Sequence, residues 1–427
     1  MRGDDWRGSG EAQRAAVIVV GAGAAGLFAA IACAEANPGQ SIHIFEAGRE
    51  PLAKVRISGG GRCNVTHACF DPAVLVSHYP RGDRALRGPF SRFQPRDTVQ
   101  WFEQRGVQLK TEADGRMFPT TDDSGTIIDC LLGEARRLGI QIHTSQAIAQ
   151  IHHDDEGFWL TTRAGAKWQC DRLLLATGSS PGGYRLALKL GHDLVPPVPS
   201  LFTFNIPDPA LRDLAGVSVE TVHLSLALED SPMLTQSGPL LITHWGMSGP
   251  AVLKLSAYGA VGLHRQRYRA TLTVNWLPTL KQDQVRQKLT SLKQEQGKRQ
   301  VAAFSPFPEL SRRLWQYLVQ HRAKVSTQLN WADLSKGQMQ TLVTELTRGD
   351  YAIAGKGVFK DEFVTCGGIP LPEVNFKTLE SRRCPGLYLA GEILNIDGIT
   401  GGFNFQNAWT TGWLAGQAMA AALATTA

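Results

Sequence analysis

AAVIVVGAGAAGLFAAIACAEANPGQSIHIFE, residues 15–46, sets the architecture of this chain. AAVIVV is a short apolar run rich in β-branched residues, the pattern of a strand buried on both faces. GAGAAG follows at once and puts Gly21, Gly23 and Gly26 in G-x-G-x-x-G spacing. LFAAIACAEA supplies small and apolar side chains for a helix packed tightly on a sheet. SIHIF reads as a second strand and ends on Glu46. Together these parts predict a βαβ unit that binds a dinucleotide. Gly21 permits the tight turn, Gly23 lets the backbone approach a pyrophosphate, and Gly26 lets helix and strand pack closely. The helix N-terminus offers free N–H groups and a positive dipole end to the phosphates. Glu46, about twenty residues past the last glycine, can accept hydrogen bonds from the adenosine ribose.

The chain has 427 residues, 43% of them hydrophobic, enough for a large core divided among two or three domains. Residues 15–33 are apolar enough to suggest a membrane span, but the three glycines argue for a buried βα unit instead. MRGDDWRGSGEAQR has no hydrophobic signal region and reads as a loose polar extension. Seven scattered cysteines form no C-x-x-C pair, which predicts a reduced, cytoplasmic setting. The net charge of +6 is unevenly placed: residues 265–336 carry 14 Lys/Arg against 4 Asp/Glu. Such a segment suits a polyanionic partner, or forms solvated helix faces.

Beyond Glu46, AGREPLAKVRISGGGRCNVTH is a loop rich in glycine and arginine. IIDCLLGEARRLG has helical periodicity, IQIHTSQAIAQIHH reads as a strand, and WLTTRAGAKWQC as a hairpin. DRLLLATGSS is another buried strand, ending in a Thr-Gly turn. Prolines 196, 197 and 199 then mark a change of character. VSVETVHLSLAL, GPLLITHWG, AVLKLSAYGA and YRATLTVNWLP read as strands of a small barrel or sandwich. DQVRQKLTSLKQEQ, ELSRRLWQYLVQ and KGQMQTLVTELT are helical. The expected fold class is α/β: a Rossmann-like nucleotide domain interrupted by an insert made of a β-barrel and a helical subdomain. The expected division is a 1–14 extension, 15–195 nucleotide domain, 196–280 barrel, 281–355 helical subdomain and 356–427 nucleotide domain.

A second anchor lies near the C-terminus. GLYLAGE is a strand running into Gly391 and Glu392, and DGITGGFNFQNAWTTG leads into a helix. Paired with the first fingerprint, it points to FAD. The acid can hold ribitol hydroxyls, and the helix N-terminus can stabilise an anionic reduced flavin at its N1/O2 edge. ISGGGRCN, residues 57–64, offers glycine N–H groups and Arg62 to a pyrophosphate or to the flavin ring. The alternative is a flexible surface turn. Cys63 is a candidate proton donor or a packed thiol.

VIVVGAGAAG, KVRISGGGRCN, LLLATG, THWGMSGPAVL and GLYLAGEILNIDGITGGFNFQNAW resemble the motif set of the bacterial BaiN-like/YhiN-like flavoproteins. The resemblance covers residues 15–417. It implies an FAD-binding domain with a barrel-and-helix insert, non-covalent FAD, and saturation of carbon–carbon double bonds. Substrates proposed in that family range from bile-acid enones to a uridine of 23S ribosomal RNA, which becomes dihydrouridine. The FAD contacts it implies are Ala25, Glu46, Arg56, Gly60, Gly61, Arg62, Asn64, Ile148, Thr177, Gly178, Gly391, Glu392, Gly402, Asn404 and Phe405. ATGSS at residues 176–180 departs from the family's ATGG turn.

Reduction of a double bond needs a hydride and an acid. With no second fingerprint, NAD(P)H would have to reach the flavin without a Rossmann domain of its own. Cys63, His67 and His244 are the candidate acids; a histidine ending a strand is also commonly a hydrogen-bonded structural residue. An RNA substrate would use the basic insert, with Trp315, Tyr317 and Trp331 stacking on bases or packing between helices. The other readings are an FAD-dependent reductase or oxidase of a small apolar metabolite, and a flavoprotein in which FAD is only structural.

Overall fold

The computed structural model describes residues 12–229, 231–357 and 364–425. Two compact units emerge, one from Met1–Pro197 with Thr365–Ala427, the other from Val198–Val364. Most of the 1–14 extension lies outside the described residues, but its end is strand, not loose chain. β1 runs Gln13–Val20, and Arg14 pairs there with Asp171 at 3.0 Å. The junction expected at 356 adjoins residues 358–363, which also lie outside the described residues.

In the first unit β1 leads through α1 (Ala24–Ala36) to β2 (Ile42–Phe45) and then α2 (Ala53–Gly61). After α3 (Ser124–Arg137) come β3 (Gln141–His143) and β4 (Ile148–Asp154). These replace the single strand expected over IQIHTSQAIAQIHH: Ser145, at φ +57°, turns the chain between them. β5 (Gly157–Thr162) and β6 (Lys167–Leu175) form the expected hairpin.

The second unit holds β7 (Phe204–Asn205), β8 (Ser218–Ala227), β9 (Leu234–Thr243) and β10 (Gly246–Ser248). Next comes α4 (Pro250–Arg265), where AVLKLSAYGA was expected to be a strand. Its buried residues are Ala251, Val252, Leu255, Ser256, Ala257, Gly259, Ala260 and Leu263, which recur at helical spacing rather than in alternation. Pro250 at the first turn favours a helix start. β11 (Ala270–Asn275), α5 (Gln282–Glu295), α6 (Arg312–Tyr317), α7 (Lys336–Arg348), β12 (Gly349–Ile353) and β13 (Gly355–Lys356) complete the unit. The antiparallel order is β12-β11-β8-β9-β10-β7-β13. Only Ala354 separates the two end strands, so the sheet closes on itself as a barrel.

Barrel and helices share one core that includes Leu224, Trp276, Leu342 and Tyr351. Trp315, Tyr317 and Trp331 belong to it, at 0%, 3% and 0% exposure. Trp315 Nε1 donates to Val301 O at 2.9 Å, and the Tyr317 hydroxyl donates to Asp208 at 2.6 Å. These three rings are interior packing; they cannot serve as base-stacking platforms.

The chain returns to the first unit with β14 (Leu387–Leu389) and α8 (Phe403–Ala424). The parallel sheet is ordered β3-β2-β1-β6-β14. α8 lies directly on α1: a Cβ at Gly412 or Gly416 would stand 2.6 and 2.3 Å from the Ala25 and Ala29 carbonyl oxygens. Among the described residues no helix is long and apolar enough to cross a membrane.

Asn407 of α8 is fully buried, and neither of its amide atoms has a hydrogen-bond partner. A buried polar group left unpaired costs about 1–3 kcal/mol. Asn407→Leu, similar in size, is therefore expected to raise the thermal midpoint by a few degrees. A lower midpoint in calorimetry would mean that the amide is satisfied in solution.

Candidate cofactor-binding site

The register aligns the carboxyl ends of the parallel strands. Val20 lies beside Phe45 and Leu175, and Leu175 beside Leu389. Gly21, Glu46, Ala176 and Ala390 therefore emerge in one row. β2 lies on one side of β1 and β6 on the other, so the row spans a switch point where open α/β sheets take ligands.

Two glycines of the fingerprint are required by packing and one is not. Gly21 has φ +108°, and a Cβ there would stand 2.4 Å from Ala176 O. A Cβ at Gly26 would stand 2.0 Å from Gly21 O, whereas one at Gly23 meets nothing within 4 Å. That open space adjoins the start of α1, which has no side-chain cap and no acid in its first turn. Its leading N–H groups are available to an anionic ligand. The Glu46 carboxylate accepts from Ala22 N at 2.9 Å and Gly48 N at 2.7 Å. Each oxygen keeps a lone pair for a ribose hydroxyl. Gln146 N donates to Glu46 O at 2.8 Å, which sets Ile148 close along the chain from the same strand end.

At the other end of the row, Gly391 has φ +76°, and its Cβ would stand 2.9 Å from that of Ala25. Gly391 N donates to Thr411 Oγ1 at 2.9 Å. Lys54 Nζ pairs with Glu392 Oε2 at 2.6 Å beside Gly178. The hydroxyls of Thr177 and Tyr184 are buried here without partners. Burial, with Glu392 and Cys366 adding to it, pushes the Tyr184 phenol well up, so it keeps its proton. Uncapped N–H groups, open space at Gly23 and the unpartnered Thr177 hydroxyl all fit a dinucleotide along this row.

The expected reactive end lies at the start of α8. Gly59, Gly60 and Gly61 have φ of +58°, +70° and +86° at the end of α2, and a Cβ at 60 or 61 meets nothing within 4 Å. The Asn64 amide, oriented by its partners, donates to Thr66 O at 3.0 Å and accepts from Gly402 N at 2.9 Å. Asn64 thus ties the glycine loop to the start of α8. Tyr79 donates its hydroxyl to Phe403 O at 2.6 Å, and Arg81 forms a two-pronged ion pair with the fully buried Asp397. His67 stacks on Phe403 at 4.7 Å, and its Nε2 lies 3.1 Å from Asp114 O.

Several expected ligands have other partners. Arg62 pairs with Glu112 at 2.7 Å and Asp122 at 3.4 Å and lies 4.0 Å over the Phe118 ring. Its charge is matched within the unit, so the loop presents glycine N–H groups rather than this guanidinium. Arg56 reaches out to Glu50 at 3.4 Å. The Asn404 amide is used on Gly398, at 2.8 Å to its N–H and 2.9 Å to its carbonyl. Phe405 stacks on Trp409 at 5.7 Å. Cys63 is fully enclosed, and burial pushes its thiol up to about 12 despite a hydrogen bond with Ser58. It matches a packed cysteine, not a proton donor. His244 belongs to the other unit, exposed at the turn between β9 and β10. Lys54 and Asp397 lie within the KVRISGGGRCN and DGITGGFNFQNAWTTG stretches but were not singled out there, and Arg81 lies in no motif.

Residues 15–418 match the HI0933-like protein Rossmann domain family. A ribosomal RNA dihydrouridine synthase of Escherichia coli (strain K12) is 30% identical over 423 residues, covering 96% of this chain and 99% of the relative. A 3-dehydro-bile acid delta(4,6)-reductase of Clostridium scindens is 31% identical over 417 residues, covering 94% and 98%. The structure of 3-ketosteroid-delta4-(5alpha)-dehydrogenase from Rhodococcus jostii RHA1 shares the fold, with a TM-score of 0.51 at 16% identity over 97% of this chain and 98% of that one.

Proposed function

This chain belongs to the HI0933-like Rossmann family, a family of FAD-dependent oxidoreductases, and from that premise we propose that it reduces a carbon–carbon double bond with NAD(P)H as reductant, its substrate a uridine of 23S ribosomal RNA. When bound, FAD supplies the hydride from its N5. The protein's own part is to hold the adenosine end at Gly21–Gly26 and Glu46, and the other end at Gly391, Glu392 and the start of α8. His244 is the candidate acid for the second carbon.

The observation that carries the RNA substrate is the charge of the second unit. Of the 14 Lys/Arg over residues 265–336, Arg322 alone among the described residues pairs with a carboxylate, Glu345 at 2.9 Å. Unmatched cations bind a phosphate backbone and release its counterions. The relatives named ribosomal RNA dihydrouridine synthase support the same substrate. In a strain lacking the gene, mass spectrometry of 23S ribosomal RNA is expected to show loss of dihydrouridine. Unchanged dihydrouridine would refute the RNA substrate.

The interior position of Trp315, Tyr317 and Trp331 favours a second reading, a small apolar enone, because the stacking platform is missing. The bile-acid reductase relative supports it. Reoxidation of the reduced enzyme by an enone but not by unmodified RNA selects this reading. In either case His244→Ala is expected to slow reoxidation by roughly a hundredfold with FAD content unchanged; an unchanged rate removes His244 as the acid.

A further inference from the structure

We infer that Lys54 and Glu392 form a strap across the cofactor groove that parts to admit FAD, after which the Lys54 ammonium holds the pyrophosphate. The inference rests on the FAD reading above. Lys54 follows β2 in the chain and Glu392 follows β14. β1 and β6 lie between those two strands in the sheet. The 2.6 Å contact between the two side chains lies beside Gly178, on the turn that follows β6. Leu52, at φ +59°, donates its N–H to Ala22 O at 2.9 Å. α2 thus starts directly against the GAGAAG turn, and the lysine stem departs from there.

The surroundings leave room for an exchange of partners. A Cβ at Gly178 would stand 3.6 Å from Glu392 Oε2 and 4.0 Å from Lys54 Nζ, ordinary contact distances, so this turn lies directly against the pair without crowding it. The unpartnered Thr177 hydroxyl lies on the same turn. The Lys54 side chain is 62% exposed, so water screens the pair and little is lost when it parts. A pyrophosphate carries more negative charge than one carboxylate, and a lysine ammonium on a flexible stem can reach it without a fixed geometry. Glu392, once released, accepts from the ribitol hydroxyls and is not left unpaired.

The test uses the flavoprotein stripped of FAD and reloaded, with association and dissociation followed by flavin fluorescence at two salt concentrations. Lys54→Met is expected to release FAD about tenfold faster, a loss of about 1.4 kcal/mol, with weaker salt dependence and association no slower. Glu392→Gln, which unmakes the strap but keeps Lys54, is expected to associate faster and retain the salt dependence. Lys54→Arg should restore wild-type release, and Lys189→Met, a surface change in the same unit, should alter nothing. A Lys54→Met protein that releases FAD at the wild-type rate and salt dependence overturns the strap. So does slower association in Glu392→Gln. Wild-type protein that binds no FAD would instead sink the FAD reading on which the strap depends.

Discussion

Arg81→Met is expected to unfold the first unit at a markedly lower temperature and to empty it of FAD. Asp397 has no exposed surface, and Arg81 meets both of its carboxylate oxygens. Removing the guanidinium leaves a buried carboxylate without its countercharge, which costs about 3–5 kcal/mol. At about 2–4 °C per kcal/mol for a unit of this size, the thermal midpoint should fall by roughly 10 °C. The loss propagates to the cofactor because Asp397 opens the loop that delivers Gly402 and the start of α8. The double variant Arg81→Met with Asp397→Leu removes both charges and should recover most of the midpoint. A single variant that melts like wild type would show that the pair contributes little.

Gly21→Ala and Gly23→Ala are expected to fail in different ways. At Gly21 the backbone has φ +108°, and the new methyl would press on Ala176 O at 2.4 Å. That oxygen belongs to the turn after β6, and Ala176 N bonds Val20 O at 2.9 Å, so relief means parting β6 from β1. Backbone strain and overpacking together cost about 2–6 kcal/mol, and the variant should melt early even without FAD. Gly23 has φ −82° and open space around its Cβ position. Gly23→Ala should therefore melt like wild-type apoprotein yet bind FAD about tenfold more weakly or worse, each tenfold being 1.4 kcal/mol. Thermal unfolding of the apoproteins and FAD titration separate the two outcomes. Equal FAD affinity in Gly23→Ala would mean that the pyrophosphate does not pass there.

The nucleotide-binding half was legible because its constraints are local. A strand buried on both faces must be continuously apolar, and a turn against a neighbouring strand tolerates only glycine. The insert was legible in class but not in detail. AVLKLSAYGA alternates enough to pass for a strand, and only its packing against β8 and β9 shows that its buried residues follow a helical face. Trp315 and Trp331 sit among basic residues in sequence, while in the fold they point into the core. Arg62 looked free beside three glycines because Glu112 and Asp122, its partners, stand 50 and 60 positions further on.

Glycine spacing, the acids after two strands and the uneven charge followed from residue order alone, since each depends on neighbours within a turn or a strand. The groove over the sheet did not. Lys54 and Glu392 are separated by 338 positions and Arg81 and Asp397 by 316. No local pattern couples such residues. Lys54 and Glu392 meet because the parallel strands before them bring their carboxyl ends into one row, Arg81 and Asp397 because their two segments form an antiparallel bridge, and a buried charge is stable only beside its countercharge.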